Sequence, residues 1–408
     1  MTEGEATRPA AGVEETPAEF GRRLQSWVEA HLGPDAGAEA DDPIAVTQAL
    51  YDEGFIGITW PTVYGGRGLG AEYQTEFNRV ISPYSDRYDS GSVTVGICAA
   101  TILDYGSEEQ KLRYLPRMLR RDDSWTQLLS EPGAGSDLGG VTTRAVRDGD
   151  RWILNGQKVW TSGARESQYA IALVRTDPDV PKYAGVSMIV VPLDAPGVDI
   201  RPLTQMTGDA HFNEVFLDDV SVPADSLIGR ENDGWAVLGR MLFHERMALS
   251  AGTVGGLMAR DGFSDLLGVA QRRGVDQVPE VRHTLGEVYL QNKLLEYMGV
   301  RMRAAAQSGR ETGPIGSIGK IGIAKLARLT AEAGILIGGE ATIAWSPDDA
   351  SSRALSQHLL FFPMTGIAGG TTEIQRNVVA ERVLGLPRER RADRDVPFRD
   401  LPKNAQKS

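Results

Sequence analysis

Three short segments carry residues whose types and spacing permit chemistry. The first, Glu131-Pro132-Gly133-Ala134-Gly135-Ser136-Asp137-Leu138-Gly139, is a glycine-rich loop with hydroxyls at Ser130 and Ser136. Exposed backbone N–H groups and hydroxyls in such a loop can hold a phosphate or a heterocycle edge, and the plainer alternative is a flexible β-turn. Its third glycine falls one residue late for the dinucleotide-binding G-x-G-x-x-G, and a Thr/Val strand pattern follows where that motif needs a helix. The second segment, His244-Glu245-Arg246, starts like a metalloprotease H-E-x-x-H, but Ala248 stands where the second histidine would be. Glu245 is then either an acid favoured by the dipole at the start of an apolar helix or a functional carboxylate. The third, Gly369-Gly370-Thr371-Thr372-Glu373, reads as a glycine turn before helix-capping threonines.

Other candidates fall away. Lys320, in GSIGKIGIA, lacks both the first glycine and the Ser/Thr of a phosphate-cradling P-loop. His31, His211, His283 and His358 are scattered, and no Cys/His set has zinc-ligand spacing, so no metal site is expected.

The elements that must position these segments change character twice along the chain. From Thr16 to Asp123 the pattern is helical, with Phe20, Leu24, Trp27 and Val28 at helix spacing and Ser107 as an N-cap before Glu109 and Gln110. From 124 to 234, seven short β-type runs are separated by Gly, Pro and Asp turns, with Asp148-Gly149 marking a hairpin. That predicts an antiparallel barrel or sandwich. After it come helices over 235–270, 279–308, 317–345 and 372–384, enough for a bundle. The expected fold class is therefore α+β: a disordered acidic tail (1–15), an N-terminal helical domain (16–123), a central β domain (124–234), a C-terminal helical bundle (235–387) and a polar, disordered tail (388–408).

Composition excludes further classes. The 408 residues carry 43 Lys+Arg against 55 Asp+Glu, a net charge of −12 that opposes nucleic-acid binding. A single cysteine, Cys98, rules out an intramolecular disulfide and suits a reducing, cytoplasmic location. The N-terminus has no signal-peptide pattern, and the longest apolar runs fall far short of a membrane span.

Taken together, LYDEGFIGITWPTVYGGRGLG, LLSEPGAGSDLGGVTTRA, NGQKVWTSGA, FNEVFLDDVSVP, HERMALSAG and GGTTEIQRNVVAERVLGLPRE resemble, in order and spacing, the acyl-CoA dehydrogenase family of flavoproteins. The resemblance implies helical, β and four-helix-bundle domains. It also implies an FAD-dependent enzyme that removes the α proton of an acyl-CoA (or acyl-carrier) thioester as hydride leaves the β carbon, with electrons passing to an electron-transfer flavoprotein. By the same resemblance Leu129, Ser130 and the loop to Ser136 line flavin and substrate. Trp160, Thr161 and Ser162 flank the isoalloxazine, Ser162 facing N5. Thr371, Thr372 and Glu373 approach the cofactor, and Arg246 lies by the substrate.

Two departures sharpen that expectation. Most members carry the base before the Gly-Thr of the C-terminal loop, where this chain has Gly369. A minority place a Glu directly before an Arg on the first helix of the C-terminal domain, which makes Glu245 the expected base, while the N–H of residue 369 remains for the thioester oxygen. The Arg-x-x-Phe-Gly and Gln-x-x-Gly-Gly segments lent to a neighbouring flavin are altered to AQRRGVDQVPEVRH and ILIGG, with Ile335 in place of Gln. That resembles actinobacterial two-gene α2β2 enzymes, including those acting on sterol side chains, and implies a homo- or heterotetramer with a homologous subunit. The competing expectations are a flavin monooxygenase on the same fold and a non-catalytic partner subunit.

Overall fold

The structure is a computed structural model that describes residues 15–33, 42–250, 262–307, 315–344, 349–389 and 393–402. The expected tails at 1–14 and 403–408, and residues 251–261 of the expected helix 235–270, lie outside the described residues.

Five helices come first: α1 (Pro17–Leu32), α2 (Pro43–Asp52), α3 (Ala71–Ile81), α4 (Ala100–Tyr105) and α5 (Glu108–Arg120). Thr16 and Glu19 form a capping box at the start of α1, which buries Phe20, Leu24 and Val28. Ser107 and Gln110 do the same for α5. A π-helical turn over Thr94–Ala99 runs into α4. Such turns concentrate at functional sites because the extra residue displaces the helix axis.

The sheet contains β1 (Trp125–Leu128), β2 (Arg144–Asp148), β3 (Arg151–Ser162), β4 (Tyr169–Arg175), β5 (Val186–Pro192), β6 (Val198–Leu203), β7 (Phe212–Pro223) and the two-residue β8 (Leu227–Ile228). Its order is β6-β7-β3-β2-β4-β5-β8, with β1 on β4. The expectation of a wholly antiparallel domain is corrected at β4, which has two parallel neighbours. β1 runs parallel to β4, from Trp125↔Tyr169 to Leu128↔Ala172, and β2 meets β4 in parallel at Arg144↔Arg175. Parallel neighbours need a long connection, and here the β2–β3 hairpin supplies it.

From Gly234 the chain is helical again: α6 (Gly234–Ser250), α7 (Gly262–Arg272), α8 (Pro279–Gln307), α9 (Ile315–Gly338), α10 (Ala350–Thr365) and α11 (Thr372–Arg382). α9 is the shared neighbour of α6, α7, α8, α10 and α11. α10 escapes the sequence pattern, because Pro363 and the run His358-Leu359-Leu360-Phe361-Phe362 blur its periodicity, although Asp349 caps it through Ser352 N–H at 3.0 Å. The expectation of disorder after Arg388 fails over 393–402. Phe398 N–H donates to Val180 O at 2.9 Å, and its ring lies 3.8 Å from the Arg175 guanidinium.

Candidate active site

The predicted residues fall into two groups, one on the rim of the sheet and one in the helical half. On the rim, a β-bulge breaks the β3–β7 register between Lys158↔Val215 and Thr161↔Asn213, so Val159 and Trp160 together face Glu214. The bulge turns Trp160 to φ 63°, a strained value for a residue with a side chain, and leaves its indole 60% exposed with an edge contact to Phe212. Thr161 is buried and Ser162 half-buried. Val159 N–H donates to Ser130 O at 2.9 Å, which brings Leu129 and Ser130 beside the bulge.

The loop after Ser130 is held from within by Glu131, the first residue of the glycine-rich segment, and by Lys158, which the sequence reading did not single out. The fully buried Lys158 donates to Glu131 Oε1 at 2.9 Å, Leu173 O at 2.6 Å and Leu129 O at 3.1 Å. Glu131 also accepts from Thr142 N–H and Oγ1, both at 2.7 Å, and from Thr143 N–H at 2.9 Å. Burial alone would raise the Glu131 carboxyl; Lys158 and the Thr142–Thr143 donors outweigh it and hold the group below its ordinary value. The signal for Lys158 lay in strand alternation, since Trp152, Leu154 and Lys158 share the inward parity of β3. Ser136 is exposed, and side chains built on Gly133 or Gly135 would meet open space.

In the helical half, Glu245 is the twelfth residue of α6, which removes the reading of it as a helix-opening acid. Residues 242–247 are all half-buried, on every side of the helix, as expected where a helix lines a cleft. The Glu245 carboxyl accepts no hydrogen bond from a described residue. Burial raises its proton affinity, and Arg246 and Lys320 pull the other way without overcoming it. Asp104 of α4 anchors the helix, accepting from Arg240 Nε at 2.5 Å and His244 Nε2 at 2.8 Å. Arg246 packs on α9, where a methyl built on Gly316 would lie 3.6 Å from its Cβ.

Gly369 and Gly370 adopt φ 68° and 87°, the left-handed region glycine favours. Gln375 is buried and donates to Gly369 O at 2.8 Å. Thr371 caps α11, accepting from Ile374 N–H at 3.2 Å, as the sequence predicts. Thr372 hydrogen-bonds Gly366 O at 3.4 Å, and Glu373 is exposed.

The π-helical turn joins α6 to the rim. Gly96 abuts Ala248, 3.6 Å from a built methyl. Thr94 accepts Trp125 N–H at 2.9 Å, and Cys98 Sγ donates to Thr126 O at 3.5 Å. Thr126 Oγ1 in turn donates to Ser162 O at 2.7 Å. A chain of contacts thereby runs from the helix that carries Glu245 to the bulge. At that bulge Thr161 Oγ1 and Asn213 Oδ1 are buried without a hydrogen-bond partner among the described residues, which leaves polar capacity suited to a heterocycle edge. Among the described residues no group of His, Cys, Asp and Glu is arranged to hold a metal, and no helix is long and apolar enough to cross a membrane.

Comparison with known proteins supplies the family. The N-terminal, middle and C-terminal domains of acyl-CoA dehydrogenases match residues 14–122, 126–220 and 232–384. The chain is 35% identical over 389 residues to acyl-CoA dehydrogenase IpdE1 of Mycobacterium tuberculosis, covering 91% of this chain and 98% of the relative. It is 35% identical over 372 residues to acyl-CoA dehydrogenase FadE34 of the same organism, 88% of this chain, and spans about half (49%) of that relative's length. Among solved structures, the Tcur3481-Tcur3483 steroid ACAD superposes with TM-score 0.73 at 29% identity, covering 95% of this chain and 100% of that one. The ChsE4-ChsE5 complex from Mycobacterium tuberculosis gives TM-score 0.73 at 27% identity, covering 93% and 100%.

Proposed function

This chain belongs to the acyl-CoA dehydrogenase family of oxidoreductases, and we propose that it converts an acyl-CoA to the trans-2-enoyl thioester with Glu245 as base. The observation that carries the reading is the Glu245 carboxyl itself. It lies on the half-buried stretch 242–247 of α6 with no hydrogen-bond donor from a described residue and with its proton affinity raised by burial. A weakly acidic α C–H needs a base of that kind, since a carboxylate satisfied by donors is a poor acceptor.

The family is flavin-dependent, and the bound cofactor, FAD in this proposal, supplies the acceptor for the hydride leaving the β carbon. Leu129, Ser130, Ser136, Trp160, Thr161 and Ser162 on the rim and Thr371, Thr372 and Glu373 at the start of α11 are the residues that would hold it. Arg246 and Ser136 lie on the substrate side. The N–H of Gly369 takes no acceptor among the described residues, and it is the donor assigned to the thioester oxygen, where enolate charge develops. Glu245 takes the α proton and keeps it on the carboxyl, whose raised affinity for protons favours that state.

Relatives carrying steroid names suggest a sterol-derived acyl group entering lipid β-oxidation. An electron-transfer flavoprotein and a homologous second subunit complete the assembly. Leu290, Leu294 and Tyr297 form an exposed apolar stripe along α8 that supports such packing. The single buried thiol, Cys98, suits a cytoplasmic location.

The test is anaerobic reduction of the enzyme's flavin by short, branched, long and steroidal acyl-CoAs. Bleaching without added reductant is expected, together with a loss of about 10²–10⁴-fold in its rate in Glu245→Gln. Unchanged bleaching in that variant removes Glu245 from the mechanism, and no bleaching with any thioester removes the dehydrogenase reading.

A further inference from the structure

Lys320 is a buried lysine that neither the P-loop motif nor the proposed mechanism uses. A buried ammonium is costly unless it is hydrogen-bonded and faces an opposite charge, so its position calls for a reason. Lys320 is 3% exposed, on the second turn of α9. Gly316 lies one turn earlier on the same face and packs against Arg246 of α6, so the Lys320 side of α9 runs along the segment that bears Glu245. At its tip, Lys320 Nζ donates to the backbone carbonyl of Thr365, the last residue of α10, where helix carbonyls lack intrahelical donors. The next residues, Gly366 to Gly370, form the loop that presents the Gly369 N–H.

We propose that Lys320 is a positioning residue that couples the two halves of the deprotonation site: one ammonium fixes the foot of the Gly369 loop and directs a positive field at Glu245. The inference rests on the reading of Glu245 as base. The α proton and the thioester oxygen belong to neighbouring atoms of one substrate. Their protein partners come from helices far apart in sequence, and Lys320 both holds the end of α10 from which the loop starts and acts on the carboxylate. Among the described residues the charges acting on Glu245 are Arg246 on its own helix and Lys320 from α9, with Arg382 of α11 acting on Arg246. Burial depresses Lys320 while Glu245 works to keep it protonated.

Two substitutions separate the tether from the charge. Lys320→Gln retains an N–H for Thr365 O without the charge, and Lys320→Met loses both. In the pH profile of flavin reduction by acyl-CoA, both variants should move the acid limb upward by roughly one pH unit, because Glu245 loses a cation that favours its ionised form. Lys320→Met alone should speed amide hydrogen exchange over 366–371 and lower the plateau rate about tenfold. If either variant fails to fold, enzyme labelled with 13C at lysine Cε reports instead. The Lys320 titration should move to lower pH in Glu245→Gln, since the partner charge is gone. An acid limb at the wild-type position in Lys320→Gln, or an unmoved Lys320 titration in Glu245→Gln, overturns the coupling while leaving Glu245 as base. Full flavin reduction by Glu245→Gln overturns the base itself and is a separate result.

Discussion

Two carboxylates, one buried and one half-buried, each acted on by a buried lysine, sit in opposite regimes. On the sheet rim Glu131 receives Thr142 N–H and Oγ1, Thr143 N–H and Lys158 Nζ, all within 2.9 Å. It is held ionised and below its ordinary proton affinity. In the helical cleft Glu245 receives no hydrogen bond from a described residue, and Lys320 acts on it only through space. Burial then wins, and the proton affinity rises. The same side chain is a structural clip where its lone pairs are filled, and where they are empty it has the raised proton affinity that the proposed base needs. In the proposed mechanism the rim is therefore the part of the site that must not move, and α6 is the part that must accept a proton.

The largest effect expected from this contrast is at the clip. Glu131→Gln leaves the Lys158 ammonium fully buried without a counter-charge, which should cost about 3–5 kcal/mol in chemical denaturation at neutral pH. Because the native carboxyl has a lowered pKa, its stabilising contribution is present above the ordinary value of 4.5 and is lost as pH falls through the native value. The difference between wild type and variant should therefore shrink in acid. A cost under about 1 kcal/mol at neutral pH would mean that the rim does not depend on the pair.

A smaller effect tests whether the rim stores strain at the bulge. Trp160 sits at φ 63°, and left-handed geometry costs any residue with a Cβ roughly 1–2 kcal/mol. Trp160→Gly and Trp160→Ala both remove the exposed indole, so the glycine variant should be the more stable by about 1 kcal/mol. Both should bind flavin more weakly than wild type. Equal stability of the two would place the strain elsewhere.

On the cleft side, Thr371 is an N-cap in the loop that Lys320 anchors from Thr365. Thr371→Ala should cost about 1 kcal/mol in thermal unfolding, well below Glu131→Gln, because one exposed cap is lost and no charge is stranded. A cost as large as that of the clip would make this loop a second structural clamp.

How far these regions were legible in the sequence follows from the range of the forces that shape them. Strand β7 runs over Phe212–Pro223 as its alternation predicts, and the capping boxes at Thr16 and Ser107 are local chemistry. Leu129, Ser130, Trp160 and Thr161 meet at one rim. Helix α10 and the parallel β1–β4 pair were not legible, since one is obscured by Pro363 and the other is set by a connection spanning two strands. Lys320 looked like a failed P-loop lysine because the group that satisfies it, Thr365 O, lies 45 positions away in sequence. The Trp160 backbone was hidden for a related reason: the extra residue is defined only against β7.

The smallest effect is the one that separates the two carboxylates by sign. Glu245 has a raised native pKa, so below 4.5 it is protonated in both folded and unfolded chains and contributes nothing. As pH rises past that value the unfolded chain ionises first, and the native state is increasingly penalised until pH passes the native value. Gln carries no such penalty. Glu245→Gln should therefore be more stable than wild type at pH 7 and lose that advantage as pH falls to about 4, opposite to Glu131→Gln, in paired denaturation curves. A Glu245→Gln variant that is less stable than wild type at pH 7 would show that Arg246 and Lys320 hold the carboxylate as a structural ion pair. The cleft would then be a second clip, with no unsatisfied base to act on the substrate.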